Sequence, residues 1–126
     1  MWVAPARGGK PVKIRIHGID APEICQAGGV AARAALAHHV SGRTVGVSPR
    51  RRDSYGRTVA SLYLGGEDIA GWMVGRGQAW SAPFSRDGGP YQALQVQAQA
   101  ARRGLFADPA AVSPRVFRQR HGPCHA

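Results

Sequence analysis

Val12-Lys13-Ile14-Arg15-Ile16-His17-Gly18-Ile19-Asp20-Ala21-Pro22-Glu23 is the stretch on which the fold turns. From Val12 to His17 the residues alternate, with Val12, Ile14 and Ile16 on one face and Lys13, Arg15 and His17 on the other. That period predicts a half-buried strand with a basic face. Gly18 ends it, and Pro22 disfavours helical geometry at Ala21, so Ile19 to Glu23 reads as an irregular connection. Arg15 on the strand and the carboxylates of Asp20 and Glu23 just after it are therefore expected to converge on one cleft.

Downstream, an Ala-rich helix is expected from Gly29 to Val40, closed by Ser41-Gly42. A second strand, Thr44 to Ser48 with Val45 and Val47 inward, leads into Pro49 and the basic run Arg50-Arg51-Arg52. Asp53-Ser54-Tyr55-Gly56 is a turn. Arg57 then opens a third strand through Leu64, and Gly65-Gly66 turns the chain into a short segment around Asp68. A second helix, Ile69 to Arg76, stops at Gly77, and Ser81 to Pro90 has the composition of a mobile loop. A third helix begins near Pro90 and carries Tyr91, Leu94, Ala98, Ala101 and Leu105 on one stripe, with Gly104 as its stop. The tail beyond Phe106 shows no periodicity and is read as an extended, partly ordered basic extension. No internal repeat is visible. Short elements with strands before helices suggest a small α+β domain, and the strand lengths suit a five-stranded barrel.

With 126 residues and 44% hydrophobic content the chain supports one core and is too short for two ordinary domains. Its apolar stretches are broken well before the roughly 20 residues of a membrane span, and no export-signal pattern occurs in the sequence. The 17 Lys+Arg against 7 Asp+Glu give a formal charge of +10. A polyanionic partner is the natural inference; solubility, or a genome rich in Arg codons, explains the charge equally simply. Cys25 and Cys124 have no CxxC and no histidine at zinc spacing, which argues against a structural zinc site. They are either one long-range disulfide of an exported protein or two thiols, and the sequence does not choose.

Phosphodiester hydrolysis needs a base for the attacking water, cations for the phosphoryl oxygens and often a metal. Arg15, Asp20, Glu23 and Arg57 supply these chemistries. Each also has a simpler reading. Asp20 and Glu23 have the spacing of a helix capping box. Arg57 can pair with Asp53 across the turn. Arg15 and the run Arg50 to Arg52 can be solvated surface. His17, His38, His39, His121 and His125 show no catalytic spacing and are assigned surface or cap roles.

The order of the motifs favours chemistry. Val12 to Glu23 resembles the strand and active-site loop of staphylococcal nuclease-like domains, and Asp53-Ser54-Tyr55-Gly56-Arg57 resembles the family's second signature. The likeness continues through Asp68-Ile69 and Gly77-Gln78-Ala79 to Ala101-Arg102-Arg103-Gly104-Leu105-Phe106. The resemblance implies a five-stranded OB-fold barrel flanked by three helices over residues 1–106, with 107–126 as a basic extension. It implies a calcium-dependent, sugar-nonspecific nuclease acting on DNA and RNA as a monomer, in a secreted or periplasmic setting. By position, Glu23 matches the general base, Arg15 and Arg57 the phosphate-binding arginines, Asp20 a calcium ligand and Ala21 a carbonyl donor to calcium. Tyr55 and Phe84 are the candidate substrate-binding aromatics.

Two departures accompany the likeness. The family's first barrel strand and the Asp-Gly-Asp-Thr-like turn after it have no counterpart before Val12, so one strand and one carboxylate ligand are expected to be missing. The loop from Ser81 to Pro90 offers only Phe84 where the family can place tyrosines. The rival reading is a catalytically weakened domain of the same fold that binds nucleic acid or protein without cutting. A third, a ribosomal or chromatin-like basic binding protein, explains the charge but not the ordered motifs.

Overall fold

The computed structural model describes residues 2–5, 8–82 and 89–124. Strand β2, Val12–Ile16, forms as its alternation requires, with Ile14 and Ile16 buried and Arg15 on the opposite face. A two-residue strand, β1 (Trp2–Val3), precedes it and pairs antiparallel, Trp2 opposite Lys13. The sequence pattern gave no sign of it. Beyond Gly18 the chain forms strand β3, Ile19–Asp20, where a wholly irregular connection was expected. It recurs as a strand because it pairs antiparallel with β7, Trp80–Ser81, a long-range partner that local propensity cannot reveal.

Helix α1 spans Gly29–Val40 as expected. Strand β4 runs from Gly46 to Arg52, so Pro49 and the three arginines lie inside a strand rather than after one. Proline is tolerated there because β4 is an edge strand and its ladder is interrupted between Pro49 and Arg51. Val45 packs against the core, but Val47 is 39% exposed, contrary to its expected inward placement, since the whole of β4 lies on the open edge.

Strand β5, Thr58–Leu64, is the centre of the sheet; it runs parallel to β2 and antiparallel to both β4 and the short β6, Glu67–Asp68. Val59 to Leu62 are buried in succession, which is what a strand covered on both faces shows. Helix α2, Ile69–Gly75, starts on Asp68, whose carboxylate accepts from the Ala70 amide at 3.1 Å. Its Ile69, Ala70, Met73 and Val74 join Ile14, Ile16, Ile19, Ala60 and Leu62 in the main core. Helix α3, Gln92–Ala100, packs Leu94 against that core, with Tyr91 just before it, and buries Ala98. Ala101 and Leu105 fall outside it, Leu105 in a short 3₁₀ turn, Gly104–Ala107.

The architecture is α+β, but two details differ from expectation. Among the described residues the sheet path β1-β2-β5-β4 is open, with β6 on β5, and no closed barrel forms. The tail is not extended: Pro114–His121 is a helix, α4, started by Ser113, whose hydroxyl accepts from the Val116 amide at 3.3 Å, with Pro114 in the first turn. Cys25 and Cys124 are disulfide-bonded, with Cα atoms 5.8 Å apart.

Candidate active site

The parallel pairing of β2 with β5 decides the geometry, because it sets Arg15 opposite Val59 and brings the turn before β5 beside the strand that leads to Asp20. Arg15, Asp20, Ala21, Glu23, Tyr55 and Arg57 line one open cleft of about 760 Å³. Phe84 lies outside the described residues.

Each side chain is set by local structure. Asp53 builds the turn under Arg57: Oδ1 accepts from the amides of Tyr55 and Arg57, both at 2.9 Å, and Oδ2 accepts from Arg57 Nε at 2.7 Å. Burial raises the Asp53 carboxyl, but the hydrogen bonds from Arg57 and Tyr55 outweigh it and hold it below its ordinary value. The simple pairing of Arg57 with Asp53 is therefore real. It fixes the stem of an arginine whose guanidinium still lines the cleft and lies 5.3 Å from the centroid of the exposed Tyr55 ring. Both Asp53 oxygens are spent on the turn, and Asp53 is not part of the cleft wall.

The capping-box reading of Asp20 and Glu23 does not hold, because Asp20 sits in β3 and the next helix begins only at Gly29. Glu23 is positioned by a tight loop instead. Its amide donates to Gln26 Oε1 at 3.1 Å, the Gln26 amide returns a bond to the Glu23 carbonyl at 2.9 Å, and Gln26 Nε2 donates to the Val112 carbonyl at 2.9 Å. The loop presses onto the start of α1 so closely that a Cβ at Gly29 would lie 1.9 Å from the Glu23 carbonyl oxygen. His17, given a surface role above, is half-buried; burial lowers its imidazole from the ordinary value, and Arg50 and Arg51 lower it further against a smaller opposing pull from Asp68.

One side chain of the cleft is not among those the sequence points to. Arg118 of α4 reaches into the same cleft, its Nη2 donating to Asp20 Oδ2 at 2.9 Å and its Nη1 to Glu23 Oε1 at 2.7 Å and Asp20 Oδ1 at 3.4 Å. The hydrogen bond to Asp20 raises the Arg118 guanidinium, burial opposes the rise, and Glu23 adds to it. The available signals were Ser113-Pro114, a helix start, and Cys124, which the bridge to Cys25 carries to the loop bearing Glu23.

Whether the cleft suits a hard cation follows from its donors. Asp20 is a carboxylate only 7% exposed, Ala21 follows it in the cleft wall, and a positive group, the Arg118 guanidinium, already stands between Asp20 and Glu23. Carboxylate oxygen is the donor type a hard cation prefers, but no cluster of three or more His, Cys, Asp or Glu side chains gathers among the described residues.

Residues 13–108 match the model of the family described as staphylococcal nuclease homologue. The chain belongs to this family. It is 37% identical over 121 residues to "Protein ParB" of Escherichia coli, covering 87% of this chain and 68% of that protein. It is similar to an "Uncharacterized endonuclease" of Haemophilus influenzae, 33% identical over 114 residues, covering 90% of this chain and 64% of the relative. A "Probable staphylococcal-like nuclease CAN1" of Oryza sativa is 35% identical over 98 residues, 78% of this chain but 30% of that protein. The chain thus spans about two thirds of the bacterial relatives and less than a third of the plant one. Membership of the staphylococcal nuclease homologues supports nuclease activity in general terms and a nucleic-acid substrate. No described helix of this family member is long and apolar enough to cross a membrane.

Proposed function

We propose that the protein is a calcium-dependent, sugar-nonspecific nuclease that hydrolyses phosphodiester bonds of DNA and RNA. The observation that carries this reading is the convergence of Arg15, Arg57, Asp20, Glu23 and the exposed Tyr55 on one cleft. In this mechanism the guanidinium forks of Arg15 and Arg57 hold the phosphate and meet the charge that grows on its oxygens during attack. No carboxylate engages Arg15 among the described residues, and Asp53 pre-orients Arg57. Glu23, which lines the cleft, takes the proton of the attacking water on its carboxylate. Water oxygen bonds to phosphorus, a bridging oxygen departs, and solvent returns a proton to it. Tyr55 and Phe84 offer base-stacking faces. Asp20 and the Ala21 carbonyl would hold calcium, which when bound supplies positive charge at the phosphate.

Residues 1–106 are proposed as the nuclease domain and 107–126 as an appended segment, in a monomer. The Cys25–Cys124 bridge supports a secreted or periplasmic location, because disulfides persist in oxidising compartments. A second reading, a weakened domain that binds without cutting, draws on the pairing of Arg118 with both cleft carboxylates.

Digestion of single-stranded DNA with calcium and with excess chelator separates these readings. The nuclease reading expects cleavage that chelator abolishes, and a loss of at least about a hundredfold in turnover for Glu23→Gln and for Arg57→Ala with circular dichroism unchanged. Activity within a few-fold of wild type in either variant refutes the assigned roles. Binding without cleavage under all conditions favours the second reading.

A further inference from the structure

Arg118 belongs to a segment that the sequence reading placed outside the domain, yet its guanidinium is the cation that the two cleft carboxylates hold. We propose that Arg118 is a built-in competitor for the divalent cation: the disulfide-tethered helix α4 holds it on Asp20 and Glu23, and the metal binds only as this arginine leaves. The inference rests on the calcium reading given above.

Three observations carry it. Arg118 bonds both oxygens of Asp20, the carboxylate assigned above to calcium, and Glu23 Oε1 beside it, so a cation approaching Asp20 meets N–H donors already seated there. A guanidinium and a divalent ion on the same carboxylate repel each other, more strongly where water is partly excluded, so each weakens the hold of the other. The arginine is also delivered rather than wandering. Helix α4 is anchored before its start by Gln26 Nε2 on the Val112 carbonyl and after its end by the Cys25–Cys124 bridge, which closes on the loop that carries Glu23. Both anchors join the same loop, residues 23–26, so the clamp is tied to Glu23 directly and to Asp20 in the strand just before that loop. Arg118 is nonetheless 41% exposed, which leaves its side chain a path into solvent when the cation arrives.

Calcium binding to the whole chain, measured by titration calorimetry without nucleic acid, tests this directly. Arg118→Ala should bind calcium at least about fivefold more tightly than wild type, a factor at the low end of usual coupling free energies. Arg120→Ala controls for the loss of one positive charge on the same helix; Arg120 is exposed and should leave the affinity within twofold of wild type. Cys124→Ser, which frees the end of α4, should shift affinity in the same direction as Arg118→Ala but by less. The calcium-induced rise in melting temperature should follow the same order, because a ligand that binds only the native state stabilises it according to its affinity.

Equal calcium affinity in wild type and Arg118→Ala overturns the competition while leaving the calcium reading in place. An equal gain in Arg118→Ala and Arg120→Ala also overturns it, because net charge alone would then be responsible. A wild-type affinity in Cys124→Ser overturns the tether. Absence of calcium binding in every variant overturns both the competition and the calcium reading beneath it.

Discussion

Asp53 shows how much one side chain contributes to the site without touching substrate. Its two oxygens take three N–H donors from the turn and from Arg57, so the guanidinium of Arg57 is held in one orientation, as the phosphate role proposed for it requires. Because those donors favour the ionised carboxyl, its folded value lies below its unfolded value. The linked stability is therefore present above the ordinary aspartate range near pH 3.8 and is lost as the pH falls through it, where the unfolded chain takes up the proton first. Asp53→Asn should flatten that part of the stability curve between about pH 5 and 2 while leaving the neutral-pH fold intact; melting curves across this range check it, and an unchanged slope would assign the acid sensitivity to other carboxylates. At this scale the sequence was informative. Arg15, Asp20, Ala21, Glu23, Tyr55 and Arg57 were all singled out from motif order, and all line one cleft. Gln26 was invisible because its role depends on Val112, a partner far along the chain that no local spacing announces.

Elements were legible where their pattern is local. The alternation of Val12 to Ile16 and the Ala-rich stretch of α1 give the observed β2 and α1. Short strands were less legible, since Ile19–Asp20 and Trp2–Val3 are strands only because a distant segment pairs with them. Helix α4 is different, because Ser113-Pro114 is a start signal but no apolar stripe follows it in the basic tail. Ser113 caps it, and Arg118, Arg120 and His121 in its last turn suit the negative end of the helix dipole. Ser113→Ala should destabilise this helix by about 1 kcal/mol. Hydrogen exchange at the Val116 and Phe117 amides should accelerate while that of β5 does not change. Equal acceleration in β5 would mean that α4 is not an independent unit but unfolds with the core.

Over the whole molecule, charge and one covalent bond matter more than any single contact. A formal charge of +10, with Arg50, Arg51 and Arg52 along an exposed edge strand, makes phosphate attraction long-ranged and sensitive to salt. Affinity for a noncleavable oligonucleotide should fall steeply between low and moderate salt with weak base preference; an affinity that ignores salt contradicts a phosphate-dominated interface. The composition foretold that surface, whereas it left open whether the two cysteines join, because a disulfide depends on three-dimensional proximity. The bridge spans 99 positions, from the loop bearing Glu23 to the segment after α4. Closing so long a loop removes about 4 to 5 kcal/mol of unfolded-chain entropy in the loop-closure account. The small open sheet has an exposed edge at β4, so little else compensates for its loss. Replacing both Cys25 and Cys124 by serine should therefore lower the melting temperature by about 10 °C or more. The loss acts mainly on the unfolded ensemble, so the circular dichroism of the native state should change only by the fraying of α4. A double variant that melts within about 2 °C of wild type would show that the unfolded chain already keeps its ends together, leaving the bridge to position α4 rather than to stabilise the fold.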